Sequence, residues 1–308
     1  MERLAEHYLS LLPMQPDRPI TDLIAENRPL LSVEFFPPKN EEGGEQLLRT
    51  AEALRPYRPD FVSITYGAGG TTRERTFKYA KILRDDFGWL VMPHLTCVGS
   101  TKAELLDIVA GYHGDGIRNI MALRGDPPKG QTEFVPCPDG LRYASDLIAL
   151  IRGNFPDICL GAGAYPEKHP EAASMEEDLR HLKIKADAGA SFLTTQLFFD
   201  NEKYFEFLKA CRAHGIDLPV LPGLLPPLSL AQVQRFGPMC GSSLPTALLE
   251  QLQVVDDNPR AAEAVGVTWA YHQIRELLRH GSPGVHLYIL NRSASAITLA
   301  RSLERAAA

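Results

Sequence analysis

Short apolar runs alternate with longer segments of helical character, and this alternation limits the folds open to the chain more than any other feature. Eight such apolar runs occur. They begin near Leu30, Asp60, Leu90, Asn119, Cys159, Ser191, Val220 and Val285. Strands that are continuously apolar and alternate with helices are typical of a parallel sheet covered by helices. We therefore predict an α/β protein with the (β/α)₈ architecture of a TIM barrel.

The chain reads as one domain. A sequence of 308 residues is long enough for two domains, but α/β barrels of this size commonly form one. No linker rich in Gly, Ser or Pro divides it. We predict a single barrel domain over residues 1–308, with short N-terminal helices over 2–12 and 20–27 that close its bottom. A doubly wound sheet is the alternative, but no GxGxxG follows the first strand.

Composition argues against several classes of partner. The net charge is −6 and no cluster of Lys and Arg occurs, which disfavours a nucleic-acid surface. The five cysteines form no CxxC pair and have no metal-ligand spacing with histidine. Neither an apolar run of about 18 residues nor the apolar core of a signal peptide is present. We expect a cytoplasmic protein with free thiols and without a metal, nucleic-acid or membrane partner.

The first predicted strand carries a carboxylate inside an apolar run. Glu34 lies between Val33 and Phe35, and Pro37 ends the strand. Burial disfavours an ionised carboxylate, so we expect a raised pKa and a group that keeps its proton near neutral pH. Such a group can act as a general acid. The alternative is a solvated Glu34 beyond the strand end, and this stretch alone leaves both interpretations open.

Polar residues gather where the other predicted strands end, and the loops after barrel strands form one face. Gly125 lets a backbone approach a ligand, and Arg124 beside it can bind a phosphate or a planar group. Asp126 would bring a negative charge that favours protonated Glu34. Lys185, on the helix after the fifth strand, could face a diphosphate or be an ordinary solvated lysine.

Ten segments, in order along the chain, resemble the methylenetetrahydrofolate reductase family. They are SVEFFPP at 32–38, VSITYGA at 62–68, PHLTC at 93–97, ALRGD at 122–126, YASDL at 143–147, AYPEKHPEA at 164–172, DAGA at 187–190, TQLFFD at 195–200, PGLLP at 222–226 and LNR at 290–292. Together they cover most of the sequence.

The resemblance implies a barrel that binds FAD, oxidises NAD(P)H and reduces 5,10-methylenetetrahydrofolate to 5-methyltetrahydrofolate by ping-pong kinetics. Glu34 matches the general acid, and Asp126 matches a catalytic carboxylate beside the flavin. The residues that match FAD contacts are Thr65, His94, Arg124, Gly125, Asp126, Tyr143, Ala144, Asp146, Tyr165, His169, Asp178 and Lys185. Those that match substrate contacts, besides Glu34, are Gln196, Phe236, Tyr288 and Arg292. The resemblance further implies that this barrel, residues 1–308, is the catalytic domain and that it lacks the regulatory extension of eukaryotic members. We also expect a homo-oligomer.

Two other functions compete with this one. A phosphate-binding barrel such as an aldolase or isomerase would need a Schiff-base lysine on a strand or a Gly-rich phosphate loop after the last strands. A non-catalytic flavin-binding subunit that passes electrons to a partner would need neither Glu34 nor Gln196. The sequence does not choose between NADH and NADPH, because no residue that reads the ribose follows a known motif.

Overall fold

The strands of the protein pair in parallel around a ring. The computed structural model describes residues 17–66, 73–127, 130 and 133–306. The strand segments are β1 (Leu30–Phe35), β2 (Phe61–Ile64), β3 (Val91–Thr96), β4 (Asn119–Leu123), β5 (Cys159–Ala164), β6 (Phe192–Thr195), β7 (Val220–Leu221), β8 (Gly223–Leu224) and β9 (Gly284–Tyr288). Each pairs with its neighbours in the order β7-β6-β5-β4-β3-β2-β1-β9-β8. The predicted helix over residues 2–12 lies outside the described residues.

The seventh strand of the barrel is divided in two by Pro222. Its first part, β7, pairs with β6, and its second part, β8, pairs with β9. Proline has no N–H to donate, but its carbonyl accepts a hydrogen bond from the backbone of His286 at 2.9 Å. The next residue, Gly223, must be a glycine because a Cβ there would lie 2.3 Å from the carbonyl oxygen of Thr195. The two parts together close the ring, which confirms the predicted (β/α)₈ TIM barrel.

Helices surround the barrel, and one begins earlier than predicted. They are α1 (Ile20–Ala25), α2 (Glu41–Leu54), α3 (Arg73–Asp85), α4 (Lys102–Gly114), α5 (Ala144–Asn154), α6 (Met175–Asp187), α7 (Asn201–Ala213), α8 (Leu230–Cys240), α9 (Thr246–Val254), α10 (Pro259–Arg279) and α11 (Ala294–Ala306). The sequence predicted α2 from about Glu45. It begins at Glu41 because the side chain of Asn40 caps it by accepting from the backbone of Gly43 at 2.9 Å.

Helix α1 closes the bottom of the barrel, as the sequence predicted for the helix over residues 20–27. Ile20 and Leu23 pack on an apolar layer to which seven strands each contribute one residue. These residues are Leu30, Phe61, Met92, Met121, Cys159, Phe192 and Leu221. The side chain of Asn119 fixes the helix start by accepting from the backbone of Ile20 at 2.8 Å.

Above this layer the barrel interior becomes polar. Successive strand residues point to opposite faces. Val33 and Phe35 therefore join the outer core with Leu47 and Leu54 of α2, and Glu34 faces inward. This alternation leaves the upper interior open to polar side chains. None of the helices in the described part of the chain is both long and apolar enough to cross a membrane.

Candidate active site

A cavity of about 830 Å³ opens at the carboxyl ends of the strands, where TIM barrels carry their active sites. Its walls include every predicted site residue except Arg292. These are Glu34, Thr65, His94, Arg124, Gly125, Asp126, Tyr143, Ala144, Asp146, Tyr165, His169, Asp178, Lys185, Gln196, Phe236 and Tyr288. Arg292 is exposed and lies on the turn after β9. Residues 67–72, which follow β2, lie outside the described part of the chain.

Glu34 lies on the cavity floor with 5% of its surface exposed. Its Oε2 is 3.5 Å from Nε2 of His286 and 3.3 Å from Nε2 of His94. The hydroxyl of Ser63 donates to the same oxygen at 3.4 Å. The chain therefore buries this carboxylate among three polar groups, and the solvated alternative for Glu34 is wrong.

The expected raised pKa of Glu34 is also wrong for the protein alone. Burial raises the pKa of this carboxyl, but the hydrogen bond from His286 and the charge that His94 can carry outweigh it. The pKa therefore lies below its ordinary value. Asp126, expected to help keep Glu34 protonated, is instead exposed at the rim. Glu34 is accordingly ionised near neutral pH and must take up a proton before it can act as an acid.

His286 is the neighbour of Glu34 that sequence reasoning missed. Its Nδ1 lies 2.7 Å from the hydroxyl of Ser32, while its Nε2 faces Glu34. Ser32 and Glu34 share one face of β1 because alternate strand residues do. His286 and Tyr288 share a face of β9 for the same reason. This period of two in the first and last strands is the signal that could have found His286.

Lys185 provides a partly buried positive charge in the cavity wall. Its Nζ donates to the carbonyl of Gly163 at 2.9 Å, and among the described residues it forms no ion pair. Burial lowers its pKa, and the nearby carboxylate of Asp178 opposes that shift. Oδ2 of Asp178 accepts a hydrogen bond from the backbone N–H of His169 at 2.8 Å. A partly buried ammonium with unused donors is suited to an anionic ligand.

Arg124 lies beside Gly125 on the loop after β4 and pairs with a carboxylate that the sequence analysis did not assign. Both terminal nitrogens of Arg124 donate to Glu171, the NH2 contact being 2.7 Å. Its Nε donates to the carbonyl of Gly125 at 3.2 Å. A guanidinium has five N–H donors, so three are used and two are left. Arg124 is thus held in one orientation with donors to spare.

The histidine on the loop after β5 is fixed in one tautomer. Nδ1 of His169 accepts from the backbone N–H of Glu171 at 3.1 Å, so this nitrogen carries no proton. Burial lowers the pKa of His169, which favours the neutral ring with its proton on Nε2. The ring packs edge-on against Tyr165, with centroids 4.5 Å apart. His169 can therefore donate one hydrogen bond to a ligand.

The start of α5 and one face of α6 form an apolar part of the cavity. Asp146 accepts from the backbone N–H of Tyr143 at 2.9 Å and so caps the first turn. Tyr143 is 54% exposed, and Ile184 on α6 is 49% exposed. Large apolar side chains exposed inside a cavity are suited to covering a planar ring. Ala144, at the start of α5, lines the same cavity with a small side chain.

The wall after β6 carries the predicted substrate contacts. Gln196 uses its Oε1 to accept from the backbone of Leu197 at 2.8 Å, which leaves its Nε2 donors for a ligand. The hydroxyl of Tyr288 donates to the carbonyl of Thr195 at 2.6 Å, so this hydroxyl is not free to bond a ligand. Tyr288 still lines the cavity. Phe236 of α8 is half-buried in the same wall.

Buried polar atoms without partners face the same space. Among the described residues these include the hydroxyls of Thr96 and Thr194. Leaving a buried polar atom unpaired is costly, so a ligand that bonds them would be favoured. Gly163 contributes no side chain to this part of the wall, which leaves room for such a ligand. No cluster of three or more His, Cys, Asp or Glu side chains in the described ranges is arranged to hold a metal ion.

Comparison with solved structures supports the fold. The chain has a TM-score of 0.60, at 17% identity, with an uncharacterised protein from Clostridium thermocellum that binds two copies of 5-methyl-5,6,7,8-tetrahydrofolic acid; the match covers 92% of this chain and 96% of that one. A second match, TM-score 0.58 at 11% identity, is the C-terminal domain of a putative chitinase from Desulfitobacterium hafniense, with 91% and 100% covered. Identities this low show the fold alone.

Comparison with curated sequences is more specific. The chain is 38% identical over 273 residues to 5,10-methylenetetrahydrofolate reductase of Escherichia coli, which covers 89% of this chain and 90% of that protein. It is 35% identical over 294 residues to methylenetetrahydrofolate reductase (NADH) 1 of Arabidopsis thaliana, covering 92% of this chain but 50% of that longer protein. The methylenetetrahydrofolate reductase family model matches residues 19–304, and the chain belongs to that family.

Proposed function

We propose that this protein reduces 5,10-methylenetetrahydrofolate to 5-methyltetrahydrofolate, with FAD as bound carrier and NAD(P)H as electron donor. The observation that carries the proposal is Glu34, buried on the cavity floor of a member of this family beside His286. A reductase of this substrate needs a proton donor as well as a hydride source. An electron-transfer subunit would need no such group.

The cavity fits a dinucleotide with a planar ring. Lys185, Arg124 and His169 supply a partly buried ammonium, a fixed guanidinium and a ring N–H for a diphosphate. Tyr143 and the start of α5 supply an apolar surface for a base. Bound FAD would supply the hydride chemistry between the nicotinamide and the methylene carbon of the folate.

Glu34 supplies the proton that opens the five-membered ring of the folate. The proton passes from its carboxyl to one of the two nitrogens bonded to the methylene carbon, and the C–N bond to that nitrogen breaks with its electron pair staying on the nitrogen. The lone pair of the other nitrogen forms a C=N bond to the methylene carbon, which can then accept a hydride. Glu34 is left ionised, which is the state that its contacts with His286 and Ser63 favour. His286, placed between Ser32 and Glu34, is positioned to return a proton to the carboxylate for the next turnover.

Gln196 would orient the folate. Its amide keeps donors free after bonding Leu197, and a pterin ring offers acceptors in a plane. The nucleotide and the folate would occupy the same cavity in turn, since both must reach one ring. We therefore expect ping-pong kinetics.

The test uses the purified protein under anaerobic conditions. A flavin absorbance that bleaches with NADH or NADPH and recovers on addition of methylenetetrahydrofolate, with 5-methyltetrahydrofolate found by mass spectrometry, would support the proposal. A protein that does not bind FAD would favour a phosphate-binding barrel and contradict it. Flavin that bleaches but does not recover with the folate would favour the electron-transfer subunit instead.

A further inference from the structure

Two consecutive residues after β9 adopt backbone conformations that side chains normally avoid. Leu290 has φ of 49° and Asn291 has φ of 55°. A single asparagine tolerates this left-handed region, but a leucine does so poorly. Such strain persists only where the surroundings hold it, and it concentrates at functional sites. The contacts of Asn291 show what holds it here.

The side chain of Asn291 forms the hydrogen bonds to the chain after β1 that a further residue of β9 would otherwise form. The β1–β9 pairing ends at Glu34 opposite Tyr288, and beyond this point β9 turns away. Oδ1 of Asn291 accepts from the backbone N–H of Phe36 at 2.9 Å, and Nδ2 donates to the carbonyl of Phe36 at 2.9 Å. One carboxamide thus satisfies both backbone groups of the residue that follows β1.

The backbone of Asn291 is tied to a third element. Its carbonyl accepts from the hydroxyl of Thr50 on α2 at 2.9 Å, and Thr50 is almost fully buried. Phe36 is followed by Pro37 and Pro38, which have no N–H with which to pair. Asn291 is therefore the link that joins the end of β1 to the end of β9 at the cavity mouth.

The consequence is an apolar wall at that mouth. Phe36 is 38% exposed, and it lines the cavity together with Leu290. The left-handed turn gives Leu290 this position, and the carboxamide of Asn291 fixes Phe36. Glu34 lies two residues before Phe36 in the chain, at the end of the β1–β9 pairing, so this wall borders the part of the cavity that holds the acid.

We propose that Asn291 is a positioning residue for the substrate, which holds Phe36 and Leu290 as a wall against the aromatic part of the folate. The inference rests on the proposed function for the identity of that substrate. The hydrogen-bonded link itself can be measured without turnover.

The test compares three variants as holoenzymes. Asn291→Ala removes the link. Asn291→Asp keeps the acceptor, but its carboxylate cannot donate to the carbonyl of Phe36 until it is protonated. Asn258→Ala is the matched control, because Asn258 also bonds one backbone N–H, that of Ala261 at 3.2 Å, and it caps α10 away from the cavity.

Hydrogen–deuterium exchange at the Phe36 amide measures whether the link is formed, and equilibrium binding of the folate measures its effect on affinity. We expect exchange at the Phe36 amide to rise at least tenfold in Asn291→Ala and the dissociation constant for the folate to rise about tenfold. The control should change neither. In Asn291→Asp, folate affinity relative to wild type should recover as the pH is lowered from 7 to about 4, where an aspartate of ordinary pKa, about 3.9, takes up its proton. General loss of stability would not produce such a recovery.

An unchanged exchange rate at the Phe36 amide in Asn291→Ala would show that Asn291 does not hold Phe36. Raised exchange with wild-type folate affinity would overturn the positioning role. If Asn291→Ala does not fold, the pH profile of Asn291→Asp decides, and a flat profile overturns the proposal. A wild-type protein that does not bind the folate would instead contradict the proposed function, while the exchange experiment would still test the link.

Discussion

Glu34 and His286 are 252 residues apart in the chain, yet Oε2 of one lies 3.5 Å from Nε2 of the other inside the barrel. The contact exists because β9 pairs directly with β1, with Ser32 opposite His286 in the register. Closing the barrel therefore brings together the two groups of the proposed proton-transfer site. The contact with His286 also helps to hold the pKa of Glu34 below its ordinary value. Glu34 is therefore ionised before the substrate binds, and the proposed proton transfer involves the histidine as well.

Glu34→Gln should abolish folate reduction while leaving FAD binding intact. The amide has nearly the same shape but cannot deliver a proton. Loss of a positioned general acid typically costs about 10²–10⁴-fold in rate, and ring opening depends wholly on this proton. Anaerobic stopped-flow of each half-reaction measures the effect, and oxidation of NAD(P)H should change far less. Glu45→Gln, an exposed carboxylate on α2, is the control. A near-native folate step in Glu34→Gln would show that Glu34 is structural.

Stability should fall as the pH is lowered below 7. Burial holds the pKa of His94 below its ordinary 6.5 in the folded protein, so the unfolded chain binds a proton that the folded protein does not. The free energy of unfolding therefore falls below about pH 6.5 by at most about 1.4 kcal/mol per pH unit for this group. The lowered pKa of Glu34 acts with the same sign: its contribution is complete above its ordinary 4.5 and is lost as the pH falls through the folded value.

Urea unfolding at pH 7, 6 and 5 checks this dependence. His94→Gln should make the fall between pH 7 and 5 shallower, because the substituted side chain does not titrate. His272→Gln, at an exposed position on α10, should leave the slope as it is in the wild type. Equal slopes for the wild type and His94→Gln would exclude His94 as the cause.

Lys185→Met should weaken FAD binding without destabilising the protein. Charged hydrogen bonds contribute about 1.5–3 kcal/mol, which corresponds to a rise of roughly 10- to 100-fold in the dissociation constant. Methionine fills the same space and removes a partly buried charge, so thermal stability of the apoprotein should be equal or higher. Flavin fluorescence titration and differential scanning fluorimetry measure the two effects.

Lys183 provides the control on the same helix. It pairs with Asp187 at the surface, and Lys183→Met should not change FAD affinity. Comparable losses in both variants would mean that net charge, rather than the position of Lys185, governs binding.

Gln196→Glu should impair the folate half-reaction more than the nucleotide half-reaction. The carboxylate can still accept from the backbone of Leu197, as Oε1 does now at 2.8 Å, but it has no N–H for the pterin. Loss of such a contact costs about 1–3 kcal/mol, so the Michaelis constant for the folate should rise by roughly 5- to 100-fold. Equal damage to both half-reactions would contradict this role.

The local signals in the sequence were enough for the architecture. Each strand and the helix after it occupy one continuous segment, so the spacing of apolar residues within that segment is enough to predict them. The strand starts at Asn119 and Cys159 were predicted to the residue, and the last strand begins at Gly284, one residue early. The helix start at Glu41 was missed because the side-chain cap of Asn40 outweighs the low helix propensity of Gly43 and Gly44.

The placement of the cavity residues also followed from the sequence, because every strand of a parallel barrel ends at the same rim. Their chemical states did not. The pKa of Glu34 depends on His286 and His94, the orientation of Arg124 on Glu171, and the link at Phe36 on Asn291. These partners lie on different strands or loops, so only closure of the barrel brings them within hydrogen-bond distance. The sequence by itself determined most of the groups that face the cavity, His286 and Arg292 being the exceptions. The tertiary structure decided which of these groups are paired and which are left for a ligand, because their partners come from other strands and loops.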